Sequence, residues 1–196
     1  MRWLEKKDIS AAPKFIGIDD QNREIISSLA GSSPDNLGDF TDKQLHEAGR
    51  IIRLLHDALS DFPECSIGQT VCHNDLSPCN FMFMNEIPYA VFDWDAAQIG
   101  DPSDDLAYAV WMWCDIGSDE NNPLVTGKKA KIMLDAYGFE KAKRLCFVQN
   151  IYRQIERVSL SIFPNEIQTI KTHQWANQCK SWLYKYEDQF SDYLKL

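Results

Sequence analysis

The 196-residue chain reads as an α+β fold, mostly helical, with a small β insertion that carries its polar loops. Three observations point there. Apolar residues recur at helical spacing after residue 41 and through most of the second half. Short β-type runs bounded by polar turns occur only around residues 14–29 and 70–92. With 44% hydrophobic residues, 25% charged residues and only 17 Gly plus Pro, the chain can bury a proper core and is neither disordered nor low-complexity.

Residues 2–8 read as the end of a helix. Lys14 to Ile18 and Glu24 to Leu29 read as two strands of a hairpin around the polar turn Asp19 to Asn22. Ala30 to Gly38, rich in Gly, Ser, Pro and Asn, reads as a linker. A two-stranded sheet is marginal alone, so this opening segment must lean on the rest. Thr41 with Gln44 forms a capping-box pattern, and Leu45, Ala48, Ile52, Leu55 and Leu59 then mark one apolar helix face. His56, beside that face, reads as a packed helix histidine. Thr70-Val71-Cys72, Phe81 to Met84 and Tyr89 to Phe92 are expected strands. Asp101-Pro102 starts a helix faced by Leu106, Ala109, Val110 and Trp113. Further helices are expected over 128–137, stopped by Gly138, over 139–163, ended before Pro164, and over 166–194. Trp94, Trp111 and Trp113 read as core.

The net charge of -9 is unevenly spread. From Leu54 to Gly127 there are 13 acids and no Lys or Arg, while the remaining residues net +4. Nucleic-acid binding through the centre is excluded on that ground, because phosphate backbones require basic side chains. A metal ion or a cationic small molecule fits better, beside the plainer reading of a solvated acidic surface. No apolar run is long enough for a membrane helix or a signal peptide. The six cysteines include no CxxC pair and match no common zinc spacing, which points to free thiols in the cytoplasm.

The chemistry concentrates in VCHNDLSPCNFMF, AVFDWD and GDPSDDLAYA. His73-x-Asp75-Leu76-x-x-x-Asn80 lies between a strand and a hairpin. Asp75 can accept a proton from an attacking hydroxyl, and Asn80 offers an amide oxygen to a hard cation. Asp93 follows Asn80 by 13 residues, and a hairpin between them brings both to one end. Mg²⁺ commonly takes one or two protein oxygens, with phosphate and water for the rest. Asp104 and Asp105 fall in a first helical turn, where the helix dipole favours acids. Plainer readings stand beside these: a turn Asp at 75, a strand-start cap at Asn80 and a solvated strand end at Asp93.

On these residues the sequence resembles the aminoglycoside phosphotransferase and choline kinase family, relatives of protein kinases, over about residues 2 to 160. HNDLSPCN, FDWD and DDLAYA resemble its catalytic loop, metal-binding motif and following helix start. PKFIGIDDQNREIISSLAG resembles the last strands of its N-terminal lobe and the hinge. The resemblance implies a protein-kinase-like fold, with a remnant N-terminal lobe over 1–38 and a helical catalytic lobe over 39–196. It implies Asp75 as catalytic base, Asn80 and Asp93 as Mg²⁺ ligands, and His73 and Asp105 as braces of the loop. Ser27, Ser28 and Leu29 would present backbone groups to the base of ATP or GTP. Asp95 receives no role.

The chain departs from that family in having no Gly-rich phosphate loop and no strand lysine to neutralise the triphosphate, as if the N-terminal lobe were truncated. Phosphoryl transfer to a hydroxyl of a small cationic molecule, aminoglycoside-like or an amino alcohol, is the implied function. The alternative is a non-catalytic family member that binds a ligand or a protein. A cropped lobe also implies self-association through residues 1–38.

Overall fold

The computed structural model describes residues 2–7, 9–34 and 39–195. The last part of the expected linker, residues 35–38, and with it the expected lobe boundary, lies outside the described residues. Element order is α1 (Arg2–Lys6), β1 (Phe15–Ile18), β2 (Glu24–Ile26), α2 (Asp42–Leu59), β3 (Thr70–Cys72), β4 (Phe81–Met84), β5 (Ile87–Val91), β6 (Gln98–Gly100), α3 (Pro102–Trp113), α4 (Pro123–Tyr137), α5 (Phe147–Ser159) and α6 (Glu166–Lys195).

Helix α2 forms because its first turn is capped and one face is apolar. Thr41 Oγ1 accepts from the Gln44 backbone N–H, and Gln44 Oε1 accepts from that of Thr41. The buried face, Leu45, Ala48, Ile52, Leu55 and Leu59, packs on α4, which packs on α6; α3 and α6 both pack on α5. Trp111, Trp113, Phe147 and Phe190 fill the space between these helices. Among the described residues no helix is long and apolar enough to cross a membrane.

The strands form three separate antiparallel pairs, β1–β2, β3–β6 and β4–β5. The pair β4–β5 is in register with Phe81 opposite Val91 and Met82 opposite Ala90. Strand β6 escapes a pattern-based reading because three residues, with Gln98 and Ile99 exposed, carry no alternation. Helix α4 begins at Pro123, five residues before the expected start at Lys128, because the Asn122 side chain caps Leu124 N–H and Pro123 suits the first position.

The single helix expected over 139–163 is instead a 3₁₀ turn, Lys141–Cys146, followed by α5. Arg144, buried, donates Nε and Nη2 to the carbonyl of Phe139 and pairs with Asp135 at 2.7 Å. That carbonyl is thereby held away from a helical partner. At the other end α5 stops at Ser159, five residues ahead of Pro164.

The opening segment does lean on the rest. Ala11 and Ala12 are buried, and the Ala11 carbonyl accepts from Val91 N–H at 2.8 Å on β5. Ser32 exchanges both backbone hydrogen bonds with Phe83 on β4, at 3.2 and 2.8 Å. Tyr89 Oη donates to the Ala30 carbonyl at 2.6 Å. Gly31, at φ +104°, makes this approach feasible, since a Cβ there would lie 2.0 Å from the Phe83 carbonyl oxygen. Gly31→Ala is expected to destabilise the fold by about 1–3 kcal/mol in urea titration. A change within experimental error would show that this crossing does not hold the segment in place.

Candidate active site

The loop from His73 to Asn80 links β3 to β4 and is gripped from beneath by α3. Asp105, in the first turn of α3, is buried. Its Oδ2 accepts from His73 N–H at 2.7 Å and lies 3.0 Å from His56 Nε2, and its Oδ1 accepts from Asn74 N–H at 2.8 Å. His56 Nδ1 meets the Tyr137 hydroxyl at 2.9 Å. Burial pushes the Asp105 carboxyl up, but the His56 hydrogen bond and charge and the two backbone N–H groups outweigh it, so its pKa falls below the ordinary carboxylate value.

His73 is fixed in one tautomer by its surroundings. The Phe92 carbonyl, 2.9 Å from Nε2, can only accept, so Nε2 carries the proton and Nδ1 accepts from Asp75 N–H at 3.3 Å. Burial lowers the His73 pKa, which keeps the ring neutral in that arrangement. Trp94 packs edge-on against the ring, with centroids 4.7 Å apart. Asn74 takes φ +65°, a conformation Asn tolerates better than most residues, and turns the chain so that both N–H groups meet one carboxylate.

Asp75 is half-buried, and its Oδ1 accepts from the Tyr108 hydroxyl at 2.9 Å. Asn80 donates Nδ2 to the Asp75 carbonyl at 2.9 Å, which leaves its side-chain oxygen to face a ligand. Phe92 N–H donates to the Asn80 carbonyl at 3.0 Å, so Asn80 and Asp93 stand at the same end of the β4–β5 hairpin. Asp93 takes the left-handed conformation, φ 64° and ψ 65°, and its carboxylate is exposed with no partner among the described residues. Among the described residues no three His, Cys, Asp or Glu side chains converge as a metal cage. The hairpin end offers one amide side chain and one carboxylate, Asn80 and Asp93, hard oxygen donors of the kind Mg²⁺ takes beside phosphate and water.

The hinge residues divide. Ser27 N–H donates to the Lys14 carbonyl at 2.8 Å and Ser27 Oγ accepts from Lys14 N–H, which engages its N–H within the β1–β2 hairpin. The backbones of Ser28 and Leu29 have no hydrogen-bond partner among the described residues. Asp95 is exposed and near no basic group within ion-pair reach among the described residues.

Four residues of this network escaped the sequence. His56 and Tyr137 sit on α2 and α4 and reach Asp105 only through the helix packing. Tyr108 and Arg157 reach the loop from α3 and α5; of these only Tyr108, three residues after Asp105 on one helix face, was legible in principle.

Asp105→Asn replaces an acceptor with an amide whose N–H₂ must face backbone donors, so a stability loss of about 3–5 kcal/mol is expected. Because the folded pKa is depressed, the carboxylate's contribution is complete above the ordinary value of 3.8 and is lost as pH falls through the lower folded value. The gap between wild type and variant in urea titration is therefore expected to narrow in acid; a gap that widens as pH falls overturns this reading.

The model of the Phosphotransferase enzyme family matches residues 66–128, the segment that contains His73, Asp75, Asn80, Asp93 and Asp105. A trifolitoxin immunity protein of Rhizobium leguminosarum bv. trifolii is 23% identical over 214 residues, spanning 93% of this chain and 82% of the relative. Among solved structures, an amicoumacin kinase complex with AMP-PNP and Ca²⁺ superposes with a TM-score of 0.63 at 10% identity, covering 92% of this chain and 75% of the other. A choline/ethanolamine kinase family protein from Mesorhizobium loti gives a TM-score of 0.63 at 14% identity, with 99% and 81% covered. The streptomycin–ATP complex of an aminoglycoside phosphotransferase gives 0.55 at 12%, with 98% and 78% covered. The chain thus carries a match to the Phosphotransferase enzyme family over residues 66–128 and shares a protein-kinase-like fold with these kinases over nearly its whole length.

Proposed function

We propose that the protein transfers the γ-phosphoryl group of ATP or GTP to a hydroxyl of a small molecule. The observation that supports this most is the joint placement of Asp75, Asn80 and Asp93: the Asn80 amide is committed to the Asp75 carbonyl, and the hairpin holds Asp93 beside Asn80. Asp75 accepts the hydroxyl proton while the acceptor oxygen bonds to the γ-phosphorus. The bond from that phosphorus to the bridging oxygen breaks, and the nucleoside diphosphate leaves. Asn80 and Asp93 hold Mg²⁺, which when bound neutralises charge on the phosphates. His73 and Asp105 keep Asp75 in place, and Ser28 and Leu29 present backbone groups to the base. A cytoplasmic setting suits the six free thiols.

A second reading, a non-catalytic binding module, is favoured by one observation: the stretch Leu54–Gly127 around the site holds no Lys or Arg to face a triphosphate. Thermal melting with MgATP and with MgGTP separates the two. A rise with either nucleotide, together with an Asp75→Asn variant that still binds but transfers about 10²–10⁴-fold more slowly, is expected. No rise with either overturns the transfer reading in favour of the module, and full transfer by Asp75→Asn overturns the base assignment.

The β1–β2 hairpin exposes Ile16, Ile18, Ile25 and Ile26, which supports self-association through this segment. Light scattering is expected to find a dimer that Ile16→Lys dissociates; a monomer at every concentration overturns it.

A further inference from the structure

The side of Asp75 reached by α3 and α5 has a chemistry of its own. Tyr108 occupies one oxygen of the Asp75 carboxylate, and burial together with that carboxylate pushes the phenol's pKa up, so it stays a donor. The Arg157 guanidinium lies over the Tyr108 ring, 5.6 Å from its centroid. It donates Nη2 to the Asn74 carbonyl at 3.0 Å and Nη1 to the Asn74 side-chain oxygen at 3.3 Å. Those two bonds leave the remaining guanidinium N–H groups for a ligand. Arg157 is exposed, and among the described residues no carboxylate lies within ion-pair reach of it. A full positive charge therefore stands one residue from the proposed base.

The chain beyond Arg157 exposes several apolar side chains. Leu160 and Ile162 in the α5–α6 turn are 73% and 87% exposed, and Ile167 and Ile170 are exposed at the start of α6. Ser161 ties the turn to both helices: its Oγ donates to the Arg157 carbonyl at 3.2 Å and its own carbonyl meets His173 Nε2 at 2.8 Å. Trp175 on α6 stacks on Trp111 at 4.8 Å, and Trp111 meets Tyr108 edge-on at 5.9 Å. Contacts thus run from Asp75 through Tyr108 and Trp111 to Trp175 on α6, and from Tyr108 through Arg157 to Ser161 in the turn. Between Arg157 and Trp175 the only acid is Glu166.

Six of the 13 acids that suggested a cationic acceptor are engaged elsewhere. Asp57 pairs with Arg53, Asp61 with Lys7 and Asp104 with Arg153. Asp115 and Asp119 take hydrogen bonds from Asn121 and Gln178, and Asp105 is buried in its network.

We propose that Arg157 and the following turn form the acceptor wall, and that the acceptor is an amphipathic hydroxyl compound with an anionic group. The anion meets Arg157, the apolar body lies on Leu160 and Ile162, and the hydroxyl reaches Asp75. This deepens the phosphotransferase reading, rests on it, and replaces the cationic acceptor. An unpaired guanidinium attracts carboxylates and phosphates in bidentate fashion and repels a polycation by like charge.

The test uses the full chain and equilibrium binding without nucleotide, by calorimetry, with N-octanoyl-L-serine, its methyl ester, choline and kanamycin as probes. N-octanoyl-L-serine is expected to bind at least about tenfold tighter than the other three, and Arg157→Gln to weaken it about tenfold or more. Arg157→Lys is expected to restore part of that loss, and Ile162→Ser, at an exposed position, to weaken binding with an unchanged melting temperature. Tighter binding of choline or kanamycin, equal binding of the ester, indifference to Arg157→Gln in a folded variant, or no binding by any probe each overturns the proposal. Arg157-dependent binding with no nucleotide-induced rise in melting temperature keeps the wall and discards transfer; a nucleotide rise without acyl-serine binding does the reverse.

Discussion

A single buried carboxylate sets the geometry around the loop. Asp105 receives His56, His73 N–H and Asn74 N–H on its two oxygens. An unpaired buried carboxylate would cost several kcal/mol, and this one is tolerated because three donors and the first turn of α3 face it. The same helix touches the loop twice more: Tyr108 holds the Asp75 carboxylate, and Trp113 Nε1 donates to the Leu76 carbonyl at 3.1 Å. Four consecutive loop residues, 73 to 76, are thereby held by three side chains of one helix. The left-handed turn at Asn74 persists because its own N–H and that of His73 are both claimed by one carboxylate.

The parts of this arrangement that were legible in the sequence are those carried by local pattern. The capping box at Thr41 and the apolar face of α2 need only neighbours three and four residues away, and both appear as read. The β4–β5 hairpin and the Pro102 start of α3 are local in the same sense. The stop of α4 at Gly138 was legible, but the 3₁₀ segment ahead of α5 was not, because Arg144 folds back onto Phe139 and Asp135 there. His56 shows the same limit at the site: its spacing on α2 says only that it is near the apolar face, while its hydrogen bonds come from residues 49 and 81 positions away.

Charge illustrates the difference between composition and structure. A run of 13 acids without a base reads as a field that would draw a cation. In the fold Asp61, Asp57 and Asp104 meet bases from outside the run, Lys7, Arg53 and Arg153, and Asp101 caps a helix. Ion pairs at the surface contribute little stability, but each one cancels the far field that the sequence implied. What remains open near the loop is Asp93 and Asp95 beside the hairpin end and Arg157 beside Asn74, charges of opposite sign borne by different elements.

That separation has a consequence for how such a site can change its chemistry. The hairpin end carries Asn80 and Asp93, and its backbone is fixed by pairing with Val91 and Phe92. The α5–α6 turn carries the exposed apolar residues and contributes nothing to the Asp105 network. Substitution at Leu160 or Ile162 therefore alters what lies against the acceptor face without disturbing the buried carboxylate or the Asn80–Asp75 bond. Arg157 is the exception, because it holds Asn74 as well as facing solvent. A change there must act on both binding and loop position, which makes Arg157 a point where the proposed acceptor recognition and the placement of Asp75 are physically coupled.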